Sequence, residues 1–156
     1  MPSTSSFHPW WAAMTVWAVV NAVNVLQAIG FASRITTGNQ DLNRALGYGI
    51  AGLALPALVA LVALVRARAG WLHAAGPCVF IAFVALMLVV DYCMPVEFRS
   101  PARPAILVPY LLLFFGAILL MGLPMYRLHR GLWLVTAATT VLLLASMGVA
   151  MRRGVA

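Results

Sequence analysis

The sequence predicts an all-α integral membrane protein, a bundle of five transmembrane helices with short loops. Apolar residues make up 64% of the 156 residues and charged residues only 8%, whereas a soluble domain is about half apolar and about a quarter charged. The apolar residues fall into five runs of roughly 20 residues, the length of helix that crosses a bilayer. Most tryptophan and tyrosine residues lie at the ends of those runs, as they do at membrane–water interfaces.

The composition also excludes several classes of function. So apolar a chain is inconsistent with a soluble enzyme, a nucleic-acid-binding domain, a disulfide scaffold or a disordered segment. Ten arginines and three acidic residues give a net charge of +7, and the chain has no lysine. Because the arginines stand singly or in pairs between apolar runs, they indicate anchoring at lipid headgroups. Exclusive use of arginine, with abundant alanine, leucine and valine, suggests a bacterial inner-membrane protein.

Spans 1 to 5, in chain order, are predicted at residues 10–33, 45–65, 71–92, 106–125 and 132–151, within a single transmembrane domain covering 1–156. The sequence predicts a loop, a tight turn, a proline-rich loop and a second tight turn between them, at 34–44, 66–70, 93–105 and 127–131. No positive charge precedes span 1 and no convincing cleavage site follows it, so span 1 is predicted to remain uncleaved.

Five spans place the two termini on opposite faces of the membrane. We call the face at the N-terminus side A and the other side B. Side A carries four arginines: Arg66, Arg68, Arg127 and Arg130. Side B carries six: Arg34, Arg44, Arg99, Arg103, Arg152 and Arg153. This excess favours side B as the cytoplasmic face, with the N-terminus outside and the C-terminus in the cytoplasm.

Span 2 contains Pro56 near its middle, and span 4 contains Pro109 and Pro124 towards its ends. Proline removes a helical hydrogen bond and kinks the helix. The kinks are interpreted either as packing geometry or as a hinge beside a gated cavity.

Span 1 carries a polar face formed by Asn21, Asn24 and Gln27, which follow one another at a spacing of three. An amide without a partner is costly in hydrocarbon, so this face is expected to point into the bundle or at a partner helix. One interpretation is hydrogen bonding between helices, and the other is the lining of a substrate or ion path. Thr136, Thr139 and Thr140 give span 5 a complementary face, which predicts packing against span 1 or a second subunit.

The densest cluster of titratable groups lies between residues 91 and 99, and its acids Asp91 and Glu97 are the candidate catalytic residues. Asp91 lies at the interface if the helix of span 3 begins at Trp71, and about a turn inside if it begins at Pro77. The functional interpretations are proton coupling, a cation site or acid–base chemistry on a lipid-derived substrate. The alternative is interfacial salt bridges. Candidate partners for Asp91 are Arg99, Arg103, Arg34 and the span 1 amides.

Side A combines arginines with histidines and has no acidic residue. Its candidate anion-binding or headgroup-binding residues are Arg66, Arg68, His73, Arg127, His129 and Arg130, which would face anionic or quinone-type headgroups. These two histidines and His8 could supply zinc ligands, but side A has no carboxylate to orient them and its arginines repel cations. The sequence therefore predicts no metal and no cofactor.

The cysteines Cys78 and Cys93 are fifteen residues apart. On one helix this separation is about 22 Å, too far for a disulfide. We expect free, buried thiols that pack as small hydrophobic groups.

These observations lead to two functional hypotheses from different classes. The first is a non-enzymatic accessory or self-associating subunit of a membrane complex, in contact with the lipid bilayer and with a partner membrane protein or copies of itself. The second is a small transporter or lipid-active enzyme that uses the span 1 amides with Asp91 and Glu97. Neither hypothesis involves nucleic acid.

Overall fold

The structure is a computed structural model that describes residues 9–37, 40–93 and 103–154. Its elements are α1 (Trp10–Thr37), α2 (Gln40–Gly52), α3 (Ala54–Arg66), α4 (Trp71–Met87), a π-helical turn (Leu88–Cys93), α5 (Pro104–Leu128) and α6 (Arg130–Arg152). Within the described residues there is no strand. Five helices, counting α2 with α3 and α4 with the π-helical turn, are long and apolar enough to cross a membrane. The prediction of an all-helical fold with five such helices is therefore confirmed.

The five long helices form a closed ring. Helix α1 packs against α6 and α3, α3 against α4, α4 against α5, and α5 against α6. Helix α1 also contacts α5 across the ring. The most extensive interfaces are α4 with α5 and α1 with α6. We call the end of the bundle at Trp10 end A and the opposite end, where α1 leads into α2, end B.

Span 2 is interrupted close to its middle, where α2 ends at Gly52 and α3 begins at Ala54. Pro56 explains the interruption, because it has no N–H to donate to the carbonyl of Gly52 four residues earlier. The hydrogen bonds of the helix resume with the Ala57 N–H, which donates to the Leu53 carbonyl at 3.2 Å. The other prolines inside helices behave differently, since α5 is continuous through Pro109 and Pro124.

The predicted eleven-residue loop at 34–44 is wrong, because α1 continues to Thr37 and α2 begins at Gln40. The hydroxyls of Thr36 and Thr37 donate to the carbonyls of Ala32 and Ser33, at 3.0 and 2.9 Å. These bonds satisfy the threonine side chains on the helix itself, so the helix continues beyond the apolar run that revealed it.

The helix of span 3 begins at Trp71, and Pro77 lies inside it. This settles the two starting points that the sequence left open. Asp91 consequently falls in the π-helical turn that ends the span at end B. The proline-rich loop predicted at 93–105 lies largely outside the described residues, which resume at residue 103.

Helices α4 and α5 approach each other closely through an apolar interface. A β-carbon placed on Gly76 would lie 2.7 Å from the backbone nitrogen of Met121, so only glycine permits this separation. Further along, the ring of the fully buried Phe83 packs on Phe114 and Tyr110, with ring centroids 5.2 Å apart in both pairs.

The two cysteines are free, but both are exposed. The expectation that they are buried is wrong. Cys78 lies on the outward face of α4, because the packed face is formed by its neighbours Gly76, Pro77 and Phe80.

Candidate functional site

A polar seam joins α1 to α6 inside the bundle. It consists of Trp17, Asn21 and Asn24 on α1 and Thr136, Thr139 and Thr140 on α6. The Trp17 indole N–H donates to the Leu132 carbonyl at 3.0 Å, and the seam then continues along both helices in the same direction. The two helices therefore run parallel, as the first and last of five spans must. The partner of the span 1 amides is a helix of the same chain.

Both polar atoms of the Asn21 side-chain amide form hydrogen bonds in this seam. Its Nδ2 donates to the Trp17 carbonyl at 2.7 Å and to the Thr136 hydroxyl at 3.2 Å. Its Oδ1 accepts a hydrogen bond of 2.8 Å from the hydroxyl of Thr139. The side chain thus bonds both within α1 and across to α6.

Asn24 is fully buried one turn further along the seam. Its Nδ2 donates to the hydroxyl oxygens of Thr139 and Thr140, at 3.1 and 3.0 Å. The hydroxyl of Thr140 in turn donates to the Thr136 carbonyl at 2.8 Å. The amide N–H groups of Asn21 and Asn24 therefore have acceptors. The Oδ1 of Asn24 has no donor in the described part of the chain.

Gln27 completes the predicted polar face but does not belong to the seam. It is half-buried and has no hydrogen-bond partner among residues 9–37, 40–93 and 103–154. Because each step of three residues rotates the side chain by about 60° backward on a helix, Gln27 has turned away from the direction of Asn21. Two of the three predicted amides thus meet α6, and the third does not.

Asp91 lies in the π-helical turn and contacts the start of α5. The Tyr110 hydroxyl donates to Oδ2 of Asp91 at 3.3 Å, and the carboxylate is half-buried. Sequence reasoning missed Tyr110, although a tyrosine near the start of span 4 on side B was a usable signal. Glu97 and Arg99, the other members of the predicted cluster, lie outside the described residues.

The π-helical turn is attached to α2 through Tyr92. Its hydroxyl donates to the Arg44 carbonyl at 3.0 Å, and its ring lies 4.7 Å from that of Tyr48, centroid to centroid. The phenol passes directly over Gly47, where a β-carbon would overlap its hydroxyl. This attachment positions Asp91 at end B, because Tyr92 is its neighbour in the chain. Turns of π-helix often occur at functional sites.

End A presents the basic residues that the sequence assigned to headgroup contact. Arg66, Arg68, Arg127 and Arg130 are all exposed there, and no acidic residue occurs in the turns that carry them. His73 is half-buried near the start of α4. His8 lies outside the described residues.

His129 has a structural contact at this end. It alone separates α5 from α6, and its Nδ1 accepts the N–H of Gly131 at 3.1 Å. This bond satisfies one of the free N–H groups at the start of α6, as an N-cap does. Next to it, the rings of Tyr126 and Trp133 pack edge to face with centroids 5.5 Å apart.

A cleft of about 280 Å³ opens at end A beside the turn between α3 and α4. Arg68 and Trp71 line it together with Val65 from the last turn of α3. Arg68 has a φ of +49°, in the left-handed region that non-glycine residues seldom occupy. The turn thus holds an arginine where a glycine or asparagine is more usual.

Comparison with known proteins gives no family for this chain: no protein-family model, curated protein or solved structure matches it. Its function is therefore argued from its own residues.

Proposed function

We propose that this chain is a multi-pass protein of a bacterial inner membrane and serves as a non-enzymatic subunit. In this role it assembles with a partner membrane protein or with copies of itself. The observation that carries the proposal is the hydrogen bonding of the span 1 amides. Asn21 and Asn24 are bonded to α6 of the same chain, which favours their use as helix–helix contacts over the lining of a substrate path.

Membrane location is supported by the outward faces of the long helices. Leu55 on α3, Leu112 on α5 and Val141 on α6 are 71%, 68% and 64% exposed. Soluble monomers rarely expose continuous apolar surface of this kind, whereas lipid or a neighbouring helix covers it at no cost. The same faces are the surfaces available to a partner.

The arginine distribution supports the proposed orientation, with the C-terminus in the cytoplasm. End B carries the larger number of arginines, including Arg152 and Arg153 at the end of α6. Retention of positive charge on the cytoplasmic side sets the orientation of such proteins. Labelling of single cysteines introduced at residues 69 and 154 by a membrane-impermeant maleimide, in a variant lacking Cys78 and Cys93, tests this: we expect residue 69 alone to react in intact cells.

The subunit role is tested by gentle purification from native membranes, followed by mass spectrometry of the proteins that co-purify. We expect either a stoichiometric protein partner or a homo-oligomer. The matched control is the same purification from cells that express the untagged chain. A monomer that turns over or transports a small molecule would contradict the proposal.

A second candidate function, a transporter or lipid-active enzyme, is favoured by one observation. Asp91 lies in a π-helical turn and accepts a hydrogen bond from Tyr110, and an ionisable residue near hydrocarbon is a candidate functional group. Under this alternative Asp91→Asn abolishes activity while the protein still folds and inserts. Under the subunit proposal Asp91→Asn lowers yield or assembly instead. Tyr110→Phe is the matched control, since it removes the hydrogen bond and keeps the ring against Phe83.

A further inference from the structure

We propose that the cleft beside the turn between α3 and α4 binds an anionic phospholipid. The phosphate lies against the guanidinium of Arg68, and an acyl chain follows the outward face of α3. This inference rests on the proposed membrane location and is independent of the proposed subunit role. It identifies one site among the basic residues of end A.

The turns at end A are positively charged. Four arginines, Arg66, Arg68, Arg127 and Arg130, are exposed there. Asp41 lies in α2 and Asp91 in the π-helical turn, both towards end B, and the turns that carry the four arginines contain no acidic residue. An arginine near a membrane surface attracts anionic lipids, and with no acid at end A the attraction is not offset within these turns.

Arg68 differs from the other three arginines of end A in its position. Arg68 lines the cleft. Its place in the turn is fixed by backbone bonds, in which the Arg68 N–H donates to the Val65 carbonyl and the Ala69 N–H to the Leu64 carbonyl, both at 3.0 Å. The side chain of Arg68 therefore starts from a defined backbone position beside the cleft.

The remaining wall of the cleft is apolar. Val65 and Trp71 line the cleft and are 59% and 78% exposed. The exposed face of α3 continues from Val65 through Val62 and Leu58. An occupant that satisfies both the guanidinium and this surface needs an anionic group joined to a long apolar chain. A phospholipid has both, and inorganic phosphate has only the first.

The test compares two lipids with identical acyl chains, phosphatidylglycerol and phosphatidylcholine, by native mass spectrometry of the purified full chain in detergent micelles. We expect the wild-type protein to bind phosphatidylglycerol about fivefold more tightly or better, the effect of one arginine at a membrane surface. Equal binding of the two lipids overturns the proposal. This comparison needs no variant, so it holds even if a substitution disturbs the fold.

Arg68→Asn is the variant of choice, because asparagine tolerates the left-handed backbone that Arg68 adopts. We expect it to remove the preference for phosphatidylglycerol. The matched controls are Arg130→Asn, which removes a charge from the same end outside the cleft, and Arg153→Asn, which removes one at end B. We expect both to retain the preference. Equal losses in all three variants would mean diffuse attraction and overturn the site.

Three further outcomes identify which proposal fails. If millimolar inorganic phosphate displaces the bound phosphatidylglycerol, the cleft is an anion site and not a lipid site. If the chain is released from native membranes by alkaline carbonate, the membrane location itself is wrong. If it stays in the membrane and shows no lipid preference, the lipid site alone is wrong.

Discussion

The two largest helix interfaces of this protein are held together by different physical interactions. The interface between α1 and α6 contains the hydrogen bonds of the polar seam, from Trp17 to Thr140. Between α4 and α5 it is apolar, with Gly76 against the backbone of Met121 and Phe83 among aromatic rings. One interface depends on hydrogen bonds and the other on close packing.

In the proposed membrane location, this difference shows which interactions can stabilise a fold whose surroundings are as apolar as its core. In lipid, burial of an apolar side chain gains little, so helix association depends on van der Waals contact and on hydrogen bonds. The α4–α5 interface uses the first and the α1–α6 interface the second. Interhelical hydrogen bonds in such proteins contribute only about 0.6 kcal/mol each on average. We therefore expect the packed interface to be the more sensitive to substitution.

The largest effect is expected for Gly76→Ala. The new methyl group would meet backbone atoms of α5, the Met121 nitrogen at 2.7 Å and the Leu120 carbonyl carbon at 2.9 Å. Backbone cannot yield as a flexible side chain does, so the helices must separate, at a cost of about 3 kcal/mol in the free energy of unfolding. Unfolding in mixed micelles measures it. Gly148→Ala, where the added methyl group meets nothing within 4 Å, is the control and should gain about 0.5 kcal/mol. Equal effects at both glycines would refute the close-packing interpretation.

The next largest effect is expected for Phe83→Ala. In the proposed membrane location the transfer contribution is small, because lipid is as apolar as the core. The expected loss then comes from the cavity and from the lost contacts with Phe114 and Tyr110. We expect the free energy of unfolding to fall by about 2 kcal/mol. Leu112→Ala, on the exposed face of α5, provides the comparison and should change it by less than about 0.5 kcal/mol. A loss as large at Leu112 would mean that this face is packed against another chain.

A smaller effect is expected for Asn24→Leu, which removes the bonds to Thr139 and Thr140. Two interhelical bonds of average strength give a loss of about 1 kcal/mol. Gln27→Leu is the matched control, since Gln27 has no hydrogen-bond partner in the described part of the chain, and we expect no loss of stability from it. If Asn24→Leu costs more than Phe83→Ala in the same unfolding assay, the ranking of the two interfaces is reversed.

The smallest effect is expected for Trp17→Phe, which keeps an aromatic ring and removes the indole N–H. The Leu132 carbonyl still accepts from the Thr136 hydroxyl, at 3.2 Å, so no acceptor is left without a partner. We expect a loss of about 0.5 kcal/mol in the free energy of unfolding. A loss of about 2 kcal/mol would make Trp17 a principal contact of the seam.

The sequence was sufficient to predict the helices because each span is a long apolar run. It was not sufficient for the segment at 34–44, since Thr36 and Thr37 satisfy their hydroxyls on the helix and extend it beyond the apolar pattern. The break at Gly52 follows from Pro56, but Pro109 and Pro124 show that a proline does not always interrupt a helix. Local sequence therefore indicates where a break is possible, and packing determines whether it forms.

Neighbour relations between helices were harder to predict than the helices themselves. The complementary polar faces of Asn21 and Thr136 indicated the α1–α6 pairing, because polar groups in an apolar bundle must find one another. No comparable pattern in the sequence predicted that Gly76 packs against Met121 or that Tyr110 bonds to Asp91. Apolar faces resemble one another in sequence, so their pairing is decided by shape.

The hydrogen bonds of Asn21 and Asn24 change how their replacement by leucine is interpreted. If the span 1 amides contacted a partner helix, replacement of Asn21, Asn24 and Gln27 by leucine would break complex formation. Since Asn21 and Asn24 bond within the chain, we expect their replacement to weaken the fold of the chain and to leave its outward faces intact. Stability and assembly must therefore be measured together.

The most direct measurement purifies the wild-type chain and Asn24→Leu side by side from native membranes. Mass spectrometry gives the ratio of co-purifying partner or of self-association, and unfolding in mixed micelles gives the stability of each preparation. We expect Asn24→Leu to lose about 1 kcal/mol of stability and to keep the partner ratio of the wild type. Unchanged stability together with a lost partner would show that Asn24 serves assembly or transport, and would contradict the assignment of the polar seam to the fold.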